Sequence, residues 1–243
     1  MTEWFERWFG EEYLALYPHR DEREAASALG LVESNLGGLK VARALDLACG
    51  AGRHARLLRE RWWTAGFDLS LPLLTRARQT DPEGFYVRGD MRALPFVDHG
   101  FDLVVNLFTS FGYFDNDAQH LRVLAEVARV TRRGGKFVLD FLNADHVRAT
   151  LVPNESSSAG GRSVEVRREI SSDDRFVVKT IASGGDAGAA EQTFLERVRL
   201  FDRLDLETML EESGFGVEQV LGDYAGNAHS ESSPRTIMFA IRE

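Results

Sequence analysis

The chain has 243 residues, of which 44% are hydrophobic, 10% aromatic and 28% charged, with a formal net charge of -9. This is the composition of one large soluble domain, and it excludes disordered, collagen-like and low-complexity classes. The single cysteine, Cys49, excludes an intramolecular disulfide and a cysteine-based zinc site, and the acidic balance argues against nucleic acid and for a small-molecule partner.

The opening residues carry Trp4, Phe5, Trp8, Phe9, Tyr13 and Tyr17 at mostly helical spacing, interleaved with Glu3, Glu6, Glu11 and Glu12. One or two amphipathic helices are expected there, broken by Pro18. Asp21 is placed to cap a helix from Glu22 to about Leu36, stopped by Gly37-Gly38. Acids stand where a secretory leader has a basic and then an apolar stretch, and no apolar run approaches the ~20 residues of a bilayer span. A cytoplasmic protein with no membrane contact is the expectation.

From Ala42 onward short apolar runs alternate with polar helical stretches, the texture of a parallel sheet with crossover helices. Strands are predicted at Ala42–Leu47, Thr64–Asp68, Glu83–Val87, Phe101–Leu107 and Lys136–Phe141. Helices are predicted near Gly52–Arg61, Pro72–Thr80 and Asp117–Thr131, and Gly134-Gly135 supplies the turn into the fifth strand. Pro153–Gly161 reads as a Ser/Gly-rich loop, followed by antiparallel strands at Arg162–Ile170, Arg175–Ala182 and Thr193–Phe201, with a loop at Gly184–Gly188. A helix at about Asp205–Glu212 and strands at Phe215–Leu221 and Thr236–Ile241 complete an α/β domain with a β insertion before its last two strands.

The chemistry sits in Asp46-Leu47-Ala48-Cys49-Gly50-Ala51-Gly52-Arg53-His54-Ala55. A strand runs through a Gly-x-Gly turn into a helix, so backbone can approach a ligand closely and the helix N-terminus offers N–H groups. Gly50-x-Gly52-x-x-Ala55 also satisfies the loose dinucleotide fingerprint. Asp46 separates the two readings, because a carboxylate there is awkward against a pyrophosphate and suits the ammonium of an amino-acid ligand. Asp68 ends the second predicted strand, where a carboxylate can accept both hydroxyls of a ribose. Asp90 and Met91 follow the third, where a short carboxylate can take an adenine amino group. Asn106, Leu107 and Phe108 end the fourth.

These four motifs resemble, in order and spacing, the class I S-adenosylmethionine-dependent methyltransferases over roughly Val41 to Phe141. The resemblance implies a Rossmann-like seven-stranded, mostly parallel sheet with helices on both faces, and S-adenosyl-L-methionine as cofactor with S-adenosyl-L-homocysteine as product. It implies a helical lid over 1–38, a cofactor core over 39–143, a β insertion roofing the substrate site over 151–203, and a C-terminal unit over 204–243. Cofactor contacts would come from Tyr17, Arg20, Asp46, Ala48, Cys49, Gly50, Gly52, Asp68, Leu69, Asp90, Met91, Asn106 and Leu107. The small-molecule branch of the family would place Tyr13, Phe111, Tyr113, Asn143, Tyr224 and Arg235 around the acceptor.

The implied reaction moves a methyl group to O, N or C of a small molecule by direct displacement, which asks the protein mainly for alignment. Aromatic faces of Phe108, Phe111 and Tyr113 would tolerate the sulfonium charge. If a hydroxyl is the acceptor, the candidate bases are His19, His229, Asp140 and Asp223. No histidine has metal-ligand company, so no metal is expected. The readings set against this one are an NAD-dependent oxidoreductase and a non-catalytic S-adenosylmethionine-binding protein.

Overall fold

A computed structural model describes residues 3–17, 22–159, 162–184 and 192–243. Pro18, His19, Arg20 and Asp21, with most of the predicted 184–188 loop, lie outside the described residues.

Three helices open the chain, α1 (Trp4–Trp8), α2 (Glu11–Leu16) and α3 (Glu22–Ser34). The alternating core follows as β1 (Arg43–Leu47), α4 (Arg53–Arg59), β2 (Trp63–Asp68), α5 (Leu71–Thr80), β3 (Phe85–Arg88), β4 (Phe101–Asn106), α6 (Asp117–Val130) and β5 (Thr131–Leu142). After α7 (Ala144–Thr150) come β6 (Asn154–Ala159), β7 (Arg162–Ile170), β8 (Phe176–Ser183) and β9 (Gln192–Arg199), then α8 (Arg203–Glu212), β10 (Phe215–Leu221) and β11 (Arg235–Arg242).

The main sheet has seven strands in the order β10-β11-β5-β4-β1-β2-β3. Pairs β1/β2, β2/β3, β1/β4 and β4/β5 are parallel, while β11 runs antiparallel to both β5 and β10. The central strands are mostly hydrophobic on both faces because helices cover both: Leu45, Leu103, Val104, Val105 and Val138 are fully buried. Strand order reverses between β1 and β4, and ligand crevices in such sheets open at the carboxyl ends of strands beside that reversal. Side-chain caps fix the helices that flank it. Ser70 accepts from the Leu73 N–H at the start of α5, and Asn116 accepts from Gln119 N–H at the start of α6.

The second sheet, β6-β7-β8-β9, is antiparallel throughout. Alternation puts Val164, Val166, Ile181 and Phe194 on one face, where they pack with Trp8, Leu16, Tyr13 and Tyr17 of the N-terminal helices. The aromatic stripe of α1 and α2 is thus shared between this sheet and the core, which it reaches through Trp4, Phe5 and Phe9.

Three segments differ from the sequence expectation. The Pro153–Gly161 stretch contains strand β6 from Asn154, paired with β7 in the register Asn154↔Arg167 to Ser158↔Ser163. Its serines carry no apolar alternation, so cross-strand hydrogen bonding rather than burial makes the strand. Helix α7 was not foreseen; Asn143 caps it by accepting from Asp145 N–H at 3.2 Å. Strand β5 begins at Thr131, ahead of the expected Lys136, because a register shift opposite Phe101/Leu103 absorbs Gly134-Gly135, with Gly134 at φ +70.

Candidate cofactor and acceptor site

A cavity of about 1640 Å³ lies over the carboxyl ends of β1 to β4. Its floor comes from the turns after each strand: Ala48, Cys49 and Gly50, then Asp68 and Leu69, then Asp90 and Met91, then Leu107 and Phe108. Tyr13 and Tyr17 of the N-terminal helices close one side, and Val177, Lys179, Glu196 and Val198 of the second sheet form a roof. No group of three or more His, Cys, Asp or Glu that could hold a metal occurs among the described residues.

Asp68 is tied to the glycine turn. Its Oδ2 accepts the Gly50 N–H at 2.8 Å and its Oδ1 the Ser70 N–H at 2.8 Å. Burial lifts this carboxyl above its usual range, against the pull of those N–H groups. Each oxygen keeps a lone pair for a ligand hydroxyl. Gly50 sits at φ +56, and a Cβ there would meet only Leu73, at 3.9 Å, so its backbone faces open space.

Asp46 lies below the turn, 1% exposed, and its Oδ2 has no hydrogen-bond partner among the described residues. Desolvation lifts its carboxyl to about 7, although the Ala55 N–H pulls the other way. On the neighbouring strand Asn106 donates from Nδ2 to the Leu47 carbonyl at 2.9 Å while its Oδ1 is likewise unpartnered among the described residues. Alternation sets Asp46 on the Ala44 face of the sheet and Asn106 on the Val104 face, and neither lines the cavity, so the predicted pair is not brought together. Cys49 is buried, and burial followed by the Asp46 and Asp68 charges pushes its thiol well above the usual range, so it is not a nucleophile.

Asp90 forms a fork with Arg92, whose Nη2 approaches at 2.6 Å; Arg92 also reaches Glu3 at 3.1 Å, joining the turn after β3 to the N-terminal segment. Burial raises the Asp90 carboxyl and the Arg92 hydrogen bonds outweigh it, so the net displacement is downward.

Several predicted residues stand away from the cavity. Gly52 does not line it: a Cβ there would meet Tyr86 Oη at 2.6 Å and Ala77 Cβ at 3.0 Å, so packing under α5 explains this glycine. Phe111 is buried in the core with Phe141, Phe201 and His120 rather than on the wall. Asn143 gives its Nδ2 to the carbonyls of Ser230, Glu231 and Ser233, pinning the last loop. The ring of Phe108 already carries two guanidinium groups, Arg53 at 4.3 Å and Arg235 at 5.6 Å from its centroid. That leaves Tyr113, packed on Trp4 and Phe9, as the aromatic wall on this side.

The base candidates among the described residues are engaged elsewhere; His19 lies outside them. Asp140 is fully buried and its carboxylate accepts from the Phe108 N–H at 2.8 Å, the Tyr224 hydroxyl at 2.6 Å and Arg235 Nε. It fixes Phe108 and Thr109, both in the left-handed region at φ +63 and +59. Burial, followed by the Asp140 charge, raises the Tyr224 phenol above its usual range. Asp223 closes a turn onto Ala225 and Asn227, and His229 meets Thr236 Oγ1 at 3.1 Å; neither lines the cavity. Of the acceptor candidates, Tyr13, Tyr113 and Arg235 do line it; Arg235 also donates to Thr109 Oγ1 at 2.9 Å.

Lys179, Glu196, Ser70 and Arg53 were not singled out from sequence. For the first two a signal existed: in Val177-x-Lys179-x-Ile181 and Phe194-x-Glu196-x-Val198 a charge interrupts an inward-facing apolar alternation.

The fold is that of the Rossmann-like methyltransferases. A solved S-adenosylmethionine-dependent methyltransferase from Clostridium acetobutylicum ATCC 824 superposes with a TM-score of 0.79 over 95% of this chain and 96% of that one, at 18% identity. The family model described as a methyltransferase domain matches residues 44–135. Over 209 residues the chain is 29% identical to the dTDP-3-amino-3,6-dideoxy-alpha-D-glucopyranose N,N-dimethyltransferase of Streptomyces fradiae, covering 84% of this chain and 81% of that protein. A demethylmenaquinone methyltransferase of Mycobacterium sp. strain KMS is 38% identical, but the match covers only 48% of this chain and 46% of that enzyme. Residues 44–135 are a methyltransferase domain, set in the fold of the class I S-adenosylmethionine-dependent methyltransferases. The glycine turn is therefore a methyltransferase motif rather than a dinucleotide one. Among the described residues no helix is long and apolar enough to cross a membrane.

Proposed function

We propose that the protein methylates the amino nitrogen of a bulky, sugar-like small molecule, such as a nucleotide-linked amino sugar. The observation that carries the choice of nitrogen is the state of Asp140, whose carboxylate is closed by three donors beside the cavity. A hydroxyl acceptor needs a base, whereas a neutral amine offers its lone pair directly and loses its proton to water afterwards. Volume supports a large acceptor: about 1640 Å³ exceeds the ~300–1,000 Å³ that one drug-sized ligand fills. The Streptomyces fradiae relative, matched along most of its length, is named for N,N-dimethylation of a dTDP-linked amino sugar.

Bound S-adenosylmethionine supplies a methyl group activated on a sulfonium. In this reading Asp68 holds the ribose hydroxyls, Asp90 and Met91 bracket the adenine, and Asp46, buried behind the glycine turn, supplies the charge for the ammonium end. Ala48, Cys49, Gly50, Leu69 and Leu107 shape the wall, and Tyr17 closes it. Tyr13, Tyr113 and Arg235 face the acceptor. The amine lone pair forms the new C–N bond as the C–S bond breaks and its electron pair returns to sulfur. The N-terminal helices and the second sheet, joined through Trp8, Leu16 and Ile181, act as one cover that excludes water.

The test is incubation of the enzyme and S-adenosylmethionine with dTDP-3-amino-3,6-dideoxyglucose, read by mass spectrometry and proton NMR. One or two methyl groups on nitrogen are expected. Methylation of a phenol or quinol with no turnover of the amino sugar would overturn the reading.

A further inference from the structure

The inner face of the second sheet carries three successive cross-strand rungs. Ile181↔Phe194 is buried under Trp8, Lys179↔Glu196 follows, and Val177↔Val198 comes next, with Val198 abutting Gly112. A charged rung between two apolar ones runs against the alternation that holds such a sheet on its core. Its two members line the cavity and are only 20% and 24% exposed.

The pair is not self-sufficient. Lys179 Nζ stands 3.6 Å from Glu196 Oε2, beyond hydrogen-bond length, and gives one bond, to Tyr17 Oη at 3.0 Å. Glu196 Oε2 also accepts Trp8 Nε1 at 3.2 Å, while its Oε1 has no partner among the described residues. Trp8 and Tyr17 therefore hold the two charges in place, and each keeps hydrogen-bonding capacity toward the cavity: an acceptor oxygen on Glu196 and ammonium protons on Lys179. Partly buried charges with unused capacity cost stability unless a ligand uses them.

Building on the amino-sugar reading, we propose that Lys179 and Glu196 are the residues that recognise the acceptor's sugar ring. Glu196 accepts from a hydroxyl or amino hydrogen on the ring edge, and Lys179 donates to a neighbouring ring or hydroxyl oxygen. The Val177/Val198 rung, about 7 Å along the strands, covers the deoxygenated carbons. The matched ligand is a neutral or zwitterionic ring with vicinal donor and acceptor and an apolar edge. A flat quinone has no such edge.

The experiment titrates S-adenosylhomocysteine-saturated protein with dTDP-3-amino-3,6-dideoxyglucose and with dTDP alone, for wild type, E196Q, K179M and the charge-swapped K179E/E196K. Each single variant is expected to weaken binding of the amino sugar about tenfold, with S-adenosylhomocysteine affinity and dTDP binding unchanged. The swap keeps an ion pair in the roof yet does not restore sugar binding; restoration would mean the pair only holds the sheet, overturning the proposal. Sugar binding unaffected by E196Q and K179M overturns it and leaves the amino-sugar reading standing. No sugar binding by wild type overturns both.

Discussion

Arg235 at the head of β11 donates from Nε to Asp140 near the carboxyl end of β5, and the same carboxylate holds the Phe108 N–H. The antiparallel strand thereby fixes the backbone at the end of β4, where the chain takes two successive left-handed residues. Arg235→Met leaves a buried carboxylate without its counter-charge and should destabilise the protein by about 3–5 kcal/mol in urea unfolding. Asp140→Asn keeps the shape and the Phe108 bond but turns an amide nitrogen toward the buried Arg235 guanidinium, so a comparable loss is expected. Its pH–rate profile should keep the wild-type shape; disappearance of an acidic limb would restore Asp140 as a base.

Asp46 gives the ligand-free protein an unusual pH response. Its carboxyl titrates at about 7 when folded and near ~3.9 when unfolded. Between those values the native state keeps a proton that the unfolded chain has lost, so this group makes stability fall as pH rises, by roughly 4 kcal/mol at most. Asp46→Asn should match wild type near about pH 3.5 and exceed it near about pH 8 in thermal unfolding. The same variant should bind S-adenosylhomocysteine more weakly at the higher pH, because the ammonium loses its counter-charge. Calorimetry in two buffers of different ionisation enthalpy should record proton release on binding near about pH 6 in wild type alone.

The parallel core was legible because its strands are short apolar runs ending in Asp68, Asp90 and Asn106, and because burial on both faces writes itself into composition. The insertion was half legible: β7, β8 and β9 alternate, whereas serine-rich β6 is defined only by its partner. Within the site, residues held by backbone neighbours close in sequence, such as Asp68 with Gly50 and Ser70, could be placed. Those decided by distant partners could not. Nothing near Asp140 announces Tyr224 and Arg235, and nothing near Gly52 announces Tyr86. Asn143 and Phe111 were misplaced for the same reason, since tertiary contacts turned one into a loop clamp and the other into core.

His120 shows the opposite pH sign. It is fully buried among Phe111, Phe114 and Phe201; Nε2 faces the Phe114 N–H at 3.3 Å and Nδ1 the Asn116 carbonyl at 3.1 Å, which assigns the neutral Nδ1–H tautomer. Burial lowers its imidazolium pKa to about 4, with the nearby Asp117 opposing. An unfolded histidine titrates near ~6.5, so in that interval the unfolded chain binds the extra proton and stability falls as pH falls. His120→Gln should lose stability at neutral pH through lost packing, yet show a shallower decline from about pH 6 to about pH 4. An unchanged slope would show that His120 is already protonated in the fold.

Gly52 separates packing from cofactor contact. The residue sits at φ +79, and a Cβ would fall 2.6 Å from Tyr86 Oη. Gly52→Ala therefore combines left-handed strain, about 1–2 kcal/mol, with a clash against a tyrosine whose hydroxyl donates to Asp81 at 3.2 Å. Tyr86→Phe removes the clashing oxygen and leaves the strain. The double variant should be more stable than the sum of the singles by about 1 kcal/mol. Once folded at low temperature, Gly52→Ala should bind S-adenosylhomocysteine within about threefold of wild type, because the glycine that faces the cavity is Gly50. A strong binding defect in a stably folded Gly52→Ala protein would instead make Gly52 part of the cofactor wall.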